Sequence, residues 1–293
     1  MNNYHKSVLT REVLTYLDPK PHKIYVDATF GGGGHTRAIL EYEPNCKIIA
    51  IDWDKASHEL NGHELEAEFP DRIKLVWGNF AQITQLLKKI GVTQIDGILA
   101  DFGTSQYQIT EKEGFSFSVD SPLDMRMSPG HYKITAAEIV NKATEQEIAD
   151  ILYQFGEESA ARRIARAIIT HRTEIGYIKT TKELAGIVAR VVKPFSRRMH
   201  PATKTFQALR IFVNNELNNI KSLLTQSIDL LAPEGRLVCI SFHSLEDRLV
   251  KQYLKQHEDQ FLILTKKVVV AQSDELSQNP SSRSAKLRCA ERK

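Results

Sequence analysis

Short apolar runs alternate with helical patterns along the first hundred residues of the chain. Four runs have the length of buried strands: residues 24–26, 47–51, 73–77 and 95–100. Helical patterns such as residues 82–90 lie between them, and a fifth apolar run, residues 236–242, follows a turn at 233–235. Strands that alternate with helices predict an α/β fold in which helices cover both faces of a parallel sheet.

The middle of the chain has a different period. Apolar positions there recur at i, i+3 and i+4, which is typical of amphipathic helices. Four segments have this spacing: residues 134–142, 145–155, 159–172 and 182–192. We therefore predict a discontinuous α/β domain, residues 1–109 and 211–293, with an all-helical subdomain, residues 110–210, inserted into it.

Four glycines separate the first predicted strand from the first helix. Glycine allows positive φ angles and a close approach of the backbone to a ligand, as at Gly33. The helix that follows offers unpaired N–H groups and the positive end of its dipole. A strand, glycine turn and helix of this kind predict a nucleotide-like ligand, although glycines at such a turn also serve tight turns alone.

Further side chains follow the ends of the next three strands. Asp52, Phe80 and Asp101 lie there, where ligands of such sheets bind. Asp52 comes about 20 residues after the glycines, as expected of an acid that accepts hydrogen bonds from a ribose. Two alternatives remain open: Asp52 as a helix cap and Phe80 as a core residue.

The motifs also narrow the choice of nucleotide. The glycine spacing is not the strict G-x-G-x-x-G of dinucleotide enzymes, and a P-loop motif is missing from the sequence. A ribose-binding acid and an aromatic residue without a phosphate-binding lysine favour S-adenosylmethionine over ATP or NAD.

Charge is unevenly distributed along the chain. Residues 156–210 carry 12 Lys or Arg against four Asp or Glu, a balance of +8, which leaves −5 for the rest of the net +3. A positive block predicts a polyanionic partner, the alternative being a solvated helix face. The C-terminus adds a second basic run: Arg283, Lys286, Arg288, Arg292 and Lys293.

Composition favours a cytoplasmic protein. No apolar run approaches the roughly 20 residues that span a bilayer, and the first residues lack a signal-peptide core. Three scattered cysteines, Cys46, Cys239 and Cys289, argue for a reducing compartment and against a Cys-rich zinc site. Without an apolar run of that length we predict no membrane association. The histidines are dispersed along the chain, so we predict no metal site.

Longer motifs resemble one known family. They are HKSVL at 5–9, YVDATFGGGGH at 25–35, GFSF at 114–117, PLDMRM at 122–127, YQFGEE at 153–158, HPATKTFQALR at 200–210, ISFHSLEDR at 240–248 and NPSSRSAKLR at 279–288. In this order and spread they resemble the bacterial 16S ribosomal RNA (cytosine-N4)-methyltransferase family, the MraW type.

The resemblance implies a Rossmann-like class I methyltransferase. Such an enzyme would use S-adenosylmethionine to methylate N4 of a cytidine in the decoding region of 16S ribosomal RNA. Its partner would be that RNA or the 30S subunit, and a homodimer is left open. The family's cofactor contacts fall on Gly33, Gly34, His35, Asp52, Phe80, Asp101 and Gln108.

The chain departs from the family pattern at two places near these residues. Gly32 stands where an arginine is usual, and the loop after the fourth strand has Tyr107 and Thr110 in place of a proline and an acid. Both loop changes affect the expected surroundings of the target base more than the cofactor contacts.

Catalytic and RNA-binding candidates complete the predicted site. Asp101 and Ser105 are candidates for polarising the cytosine amine, unless Asp101 contacts only the cofactor. His243 is expected to shape the substrate pocket, unless Ser244 and Asp247 merely form a capping box. The candidates for RNA phosphate contacts are Arg162, Arg163, Arg166, Arg197, Arg198, His200 and Lys204. Two other classes stay open: a non-catalytic RNA-binding factor, and a methyltransferase for small molecules or proteins.

Overall fold

The computed structural model describes residues 7–103, 113–193 and 200–293. The chain divides into two compact units, which we call the sheet unit, residues 1–105 and 217–293, and the helical unit, residues 106–216. The sequence-based boundary at residue 210 would cut the helix Thr203–Val213 before its last turn, whereas this division keeps the helix whole.

The sheet unit contains eight strands among its described residues. They are β1 Ile24–Asp27, β2 Lys47–Asp52, β3 Ile73–Trp77, β4 Ile95–Asp101, β5 Leu231–Ser241, β6 Phe261–Ile263, β7 Val269–Val270 and β8 Lys286–Arg292. Their order is β3-β2-β1-β4-β5-β8-β6, and β7 also pairs with β8. Strands β1 to β5 run parallel and β8 is antiparallel to its neighbours, so the predicted α/β sheet is confirmed.

Twelve helices are described. They are α1 Thr10–Leu17, α2 Gly34–Tyr42, α3 Lys55–Ser57 continued by a π turn His58–Gly62 and by His63–Glu68, α4 Ile83–Lys89, α5 Ala136–Lys142, α6 Glu145–Gly156, α7 Ala161–Glu174, α8 Thr181–Val191, α9 Thr203–Val213, α10 Glu216–Leu230, α11 Ser244–Gln256 and α12 Ser273–Gln278. Among them, none is long and apolar enough to span a membrane.

The core of the sheet unit lies on both faces of the sheet. Alternate residues of β2 belong to different apolar clusters: Ile49 and Ile51 to one, Ile48 and Ala50 to the other. Side chains alternate between faces along a strand, so each cluster fills one face. Burial on both faces explains why β2 reads as a continuous apolar run, and it leaves the strand ends as the place for polar side chains.

One predicted turn lies inside a strand. Residues 233–235 belong to β5, whose pairing with β4 shifts register between Ile95 and Gly97. Glu234 has a φ of +65°, a left-handed backbone conformation that is typical of turns. It produces an irregularity within the strand instead of ending it.

The helical unit has its own apolar core, formed by residues such as Leu152, Ile164 and Leu209. Three of its helices begin with reciprocal capping boxes, in which a threonine and a glutamate satisfy each other's backbone N–H groups. The pairs are Thr135 with Glu138, Thr144 with Glu147, and Thr180 with Glu183. Each threonine cap contributes about 1 kcal/mol, which fixes where these helices start.

Candidate cofactor site and basic surface

The glycine turn connects β1 to α2. Gly33 has a φ of +74°, and a Cβ atom there would lie 2.5 Å from Leu65 Cδ1, so this position requires glycine. A Cβ on Gly34 would come 2.3 Å from Ser7 Oγ. Gly32, in contrast, has open space around it, which fits a family that usually carries arginine there.

Helix α2 begins at Gly34, so the last of the four glycines belongs to its first turn. Its N-cap, Gly33, provides no side-chain hydrogen bond. The N–H groups of the first turn therefore receive no hydrogen bond from an N-cap side chain. An anionic or polar ligand at a helix start needs such N–H groups as its donors.

Asp52 ties the glycine turn to the end of β2. Its Oδ2 accepts a hydrogen bond from the Gly31 N–H at 2.7 Å, and its Oδ1 accepts one from the Asp54 N–H at 2.8 Å. The helix-cap alternative for Asp52 is wrong, because Asp54 caps α3 by accepting from the Ala56 N–H. Burial raises the pKa of Asp52 to about 7, although both backbone hydrogen bonds oppose this shift.

Three aromatic rings follow the ends of β2, β3 and β4. Phe80 lies 6.3 Å from Trp53 and 6.1 Å from Phe102, measured between ring centroids. Phe80 is half-buried and packs against the core of the sheet unit. The core-packing alternative is therefore right for the buried part of this side chain. Trp53 was missed in the sequence, although its position directly after Asp52 was a usable signal.

His35 lies between the N-terminal segment and the end of β4. Its Nε2 is 2.8 Å from the Val8 carbonyl oxygen. A carbonyl only accepts, so Nε2 carries a proton and donates it. The other ring nitrogen, Nδ1, is 3.9 Å from Asp101 Oδ2, which places the ring beside the carboxylate. His35 is thus held in one orientation by the backbone.

Asp101 ends β4 with one unused oxygen. Its backbone N–H donates to Thr29 Oγ1 at 2.7 Å, while its Oδ1 is buried and has no hydrogen-bond partner among the described residues. Burial raises the pKa of Asp101 to about 6; His35 opposes the shift, and the carboxylates of Asp27 and Glu246 add to it. A buried acceptor without a partner is unusual and is available to a ligand.

His243 begins α11 at the carboxyl end of β5. It is the N-cap residue, and Glu246 accepts from the Phe242 N–H at 2.7 Å and from the His243 N–H at 3.3 Å. The expected capping box of Ser244 and Asp247 is wrong by one residue, because Asp247 pairs instead with Arg288 at 2.7 Å. His243 Nε2 lies 3.1 Å from Glu246 Oε1, without hydrogen-bond alignment.

Four predicted site residues lie outside the described residues: Ser105, Gln108, Arg197 and Arg198. The other RNA-binding candidates are on the helical unit. Arg162, Arg163 and Arg166 are exposed on α7. His200 is exposed and stacks on Phe117, with ring centroids 4.5 Å apart.

Several basic side chains of the positive block have structural partners instead. Lys204 Nζ donates to the Glu157 carbonyl at 3.0 Å, beyond the last residue of α6. Arg172 donates to the carbonyls of Val140 and Ala143 at the end of α5. Arg210 forms a bidentate pair with Glu216 at 2.9 Å. The +8 balance therefore overstates the charge that is open to a polyanion.

The C-terminal basic run is also mostly internal. Arg288 pairs with Asp247, Arg292 donates to the Ile228 carbonyl at 3.1 Å, and Lys293 donates to the Glu258 carbonyl at 2.7 Å. These contacts do not support the expectation that the three residues form a second binding surface for a polyanion. They fasten β8 and the chain end to the sheet unit.

The sheet and its strand ends define a class of protein. A parallel sheet with a glycine turn, the buried acid Asp52, the partly buried acid Asp101 and an aromatic group at its carboxyl edge is the arrangement of a Rossmann-like enzyme that binds a nucleotide-like ligand. The sequence model of the MraW methylase family matches residues 2–293. The chain therefore belongs to the MraW methylase family and is an S-adenosylmethionine-dependent methyltransferase.

Curated relatives match over almost the whole chain. The ribosomal RNA small subunit methyltransferase H of Bradyrhizobium diazoefficiens is 45% identical over 98% of this chain and 91% of its own length. The protein of the same name from Sulfurihydrogenibium azorense is 45% identical over 98% of this chain and 99% of its length. Among solved structures, TrmN from Thermus thermophilus aligns with a TM-score of 0.46 and 12% identity, covering 97% of this chain and 48% of TrmN.

Proposed function

We propose that this chain transfers the methyl group of S-adenosylmethionine to N4 of a cytidine in the decoding region of 16S ribosomal RNA. The names of the relatives support a small-subunit ribosomal RNA as substrate, and the motif resemblance supports cytosine N4. The observation that carries the proposal is the buried Oδ1 of Asp101 at the carboxyl end of β4, which has no hydrogen-bond partner among the described residues. It offers an acceptor where a methyl acceptor would approach the cofactor.

The cofactor would be held by the strand ends. Asp52 keeps spare lone pairs on both oxygens, so it can accept from ribose hydroxyls while it holds the turn. Phe80 and Trp53 provide aromatic surface for the adenine. The glycine turn at Gly33 and Gly34, together with His35, would lie along the methionine part of the cofactor, and Gln108 stays a predicted contact.

Asp101 would act on the cytosine amine. The N4 lone pair is partly delocalised into the ring, and an acceptor for an N4 hydrogen helps to localise it towards the methyl group. In the transfer the N4–C bond forms, the C–S bond breaks and its electron pair returns to sulfur. The N4 proton then passes to Asp101 Oδ1 and on to solvent. A pKa of about 6 keeps the carboxylate ionised at neutral pH and able to accept. Ser105 and His243 stay predicted members of this site.

The exposed arginines of α7 would contact the RNA. Arg162, Arg163 and Arg166, with His200, present positive charge or an aromatic ring to solvent. Lys204 has its ammonium on a backbone carbonyl and would contribute less. Arg197 and Arg198, a 30S particle as the form of the substrate, a homodimer and a cytoplasmic location stay predictions.

The alternatives are less well supported. A non-catalytic RNA-binding factor would not need the buried Oδ1 of Asp101 at the end of β4, or an acid such as Asp52 that holds the glycine turn. An enzyme for small molecules or proteins would not need an exposed arginine surface.

Methyl transfer to small ribosomal subunits tests the proposal. Subunits that lack their native methylations are incubated with labelled S-adenosylmethionine, and the modified nucleoside is identified by mass spectrometry. We expect N4-methylated cytidine from the decoding region. Transfer to another nucleoside, or no transfer by protein that binds the cofactor, would contradict the proposal. Free nucleosides and peptides serve as acceptors for the alternative enzyme classes.

A further inference from the structure

A cleft lies between two helices of the helical unit, α7 and α8. It has a volume of about 590 Å³. Its charged lining comprises Arg162, Arg163 and Arg166 from α7, Arg190 from the last turn of α8, and Glu174. We call it the arginine cleft. Arg190 belongs to it although it was not among the RNA-binding candidates chosen from the sequence.

The charge of the cleft is concentrated at one end. Arg163 and Glu174 are eleven residues apart on α7, which at about 1.5 Å per residue separates them by roughly 16 Å along the axis. Arg166 lies 3.5 Å from Glu145, but its side chain is 78% exposed, so it is only weakly paired. Arg190 donates from Nε to the Gly186 carbonyl at 3.3 Å, one turn earlier on α8, but all four arginines are exposed. Glu174 is the one acid among the described residues that line the cleft.

The rest of the cleft lining is mostly apolar, apart from Thr170 and His171. Ala167 and Ile187 line it with Val191, and Ile175 stands at it with 69% of its surface exposed. An exposed isoleucine beside arginines has no evident role in the core of the unit. Apolar surface next to guanidinium groups suits a ligand that is both flat and anionic, because phosphates pair with arginine while base faces pack on side chains.

We infer that the arginine cleft binds an unpaired stretch of RNA, with phosphates on Arg162, Arg163, Arg166 and Arg190 and a base against Ile175 and Ile187. The inference rests on the proposed function and specifies which form of RNA the helical unit takes. A duplex keeps its bases stacked inside and would leave the apolar wall without a partner. The volume lies within the range of sites that enclose small organic ligands, so a base has room.

A pair of charge-matched variants tests the cleft. Arg163→Ala with Arg190→Ala removes two exposed charges from it. Lys251→Ala with Lys255→Ala removes two exposed charges from α11 of the sheet unit, and those lysines pair with no residue that the structure describes. Both proteins have the same net charge, so a general electrostatic effect would be equal in the two. Thermal unfolding checks that each variant is folded.

Binding is measured by fluorescence anisotropy at several salt concentrations. The probes are a 12-nucleotide single-stranded RNA, a duplex of the same length and poly-glutamate. We expect the arginine variant to lose at least tenfold in affinity for the single strand, with a salt slope shallower by about 1.4, since each phosphate contact on a single strand contributes about 0.7. The lysine variant should stay within twofold of the wild type. Equal losses in the two variants, a preference for the duplex, or equal binding of poly-glutamate would overturn the inference.

The apolar wall has its own test. Ile175→Ser changes an exposed side chain, so the fold should be unaffected. We expect a three- to tenfold loss of affinity for the single strand with an unchanged salt slope, and unchanged affinity would contradict a base at this wall.

The proposed function and the inference about the cleft can fail separately. Wild-type protein that binds the strand through the cleft but methylates no subunit overturns the proposed function alone. Normal methylation by an arginine variant with normal RNA binding overturns the cleft alone.

Discussion

The carboxylates of the sheet unit and the arginines of the helical unit carry opposite charges in opposite environments. Asp52 and Asp101 are withdrawn from water, and their pKa values rise to about 7 and about 6. Arg162, Arg163 and Arg190 remain in water on a helical surface. Backbone donors to Asp52, and His35 beside Asp101, oppose the loss of charge that burial favours.

The difference teaches how a functional charge can be recognised in each setting. A buried carboxylate oxygen is costly to leave unpaired, and Asp101 Oδ1, which has no hydrogen-bond partner among the described residues, is where our proposal places the methyl acceptor. An exposed arginine costs little, and its presence alone indicates nothing. There the informative feature is whether the guanidinium holds part of the fold, as Arg172 does on the carbonyls of Val140 and Ala143, whereas Arg163 has no such partner among the described residues.

The largest expected effect is at Asp101. Asp101→Asn should lower kcat by about 10²- to 10⁴-fold, the contribution of a positioned proton acceptor, and leave the affinity for S-adenosylmethionine within a few-fold. Single-turnover methyl transfer and isothermal titration measure the two quantities. A large loss of cofactor affinity with normal transfer would instead make Asp101 a cofactor contact, and would remove the distinction between the two buried acids.

The next effect is at Asp52. Asp52→Asn removes a charged acceptor for the ribose and should weaken cofactor binding by about 1.5–3 kcal/mol, or roughly 10- to 150-fold. Asp259→Asn changes an exposed carboxylate of the same unit and should not alter the affinity. Similar affinity of the wild type and Asp52→Asn would show that Asp52 serves only the turn.

The arginines of the helical unit should divide into two groups. Arg172→Ala leaves two helix-end carbonyls without their charged donor and should lower the free energy of unfolding by about 2–3 kcal/mol. Arg162→Ala, on the same helix, should change it by less than about 0.5 kcal/mol. Urea unfolding measures the free energy of unfolding of both variants. Equal losses would show that arginines with backbone partners and solvent-exposed arginines do not differ in their contribution to stability.

A smaller effect concerns the stability of the cofactor-free protein. The pKa of Asp101 is raised by folding, so its contribution is full below pH about 4 and is lost as the pH rises through about 6. Asp101→Asn cannot ionise, so its stability relative to the wild type should rise by about 2 kcal/mol between pH 4.5 and pH 8. Denaturant titrations at the two pH values check this, and a pH-independent difference would mean that the carboxyl is not perturbed.

Much of the sheet unit could be predicted from its sequence. Strands β2 and β4 are buried along most of their length and therefore appear as apolar runs, which also placed Asp52 and Asp101 at strand ends. The strands β6 and β7 were missed because they have three and two residues and are stabilised by pairing with β8. Pairing between distant segments leaves no local periodicity.

The partners of charged side chains could not be predicted. Arg172 and Arg163 lie on the same helix. Arg172 has a structural role only because the end of α5 lies within reach of its guanidinium. The cap of α11 was displaced by one residue because a histidine took the place that serine usually holds. The position of Trp53 directly after Asp52 could have indicated it from the sequence, whereas its pairing with Phe80 could not be predicted because it joins the ends of two different strands.

The pH dependence of single-turnover methyl transfer tests the account most directly. Wild-type protein and Asp101→Asn are compared between pH 5 and pH 8 at saturating cofactor and RNA. We expect the wild-type rate to fall about tenfold per pH unit below the pKa of Asp101, about 6, because protonation removes the acceptor for the cytosine amine. The variant should be slow and insensitive to pH over this range. Equal rates, or the same acid limb in both proteins, would contradict the role given to Asp101.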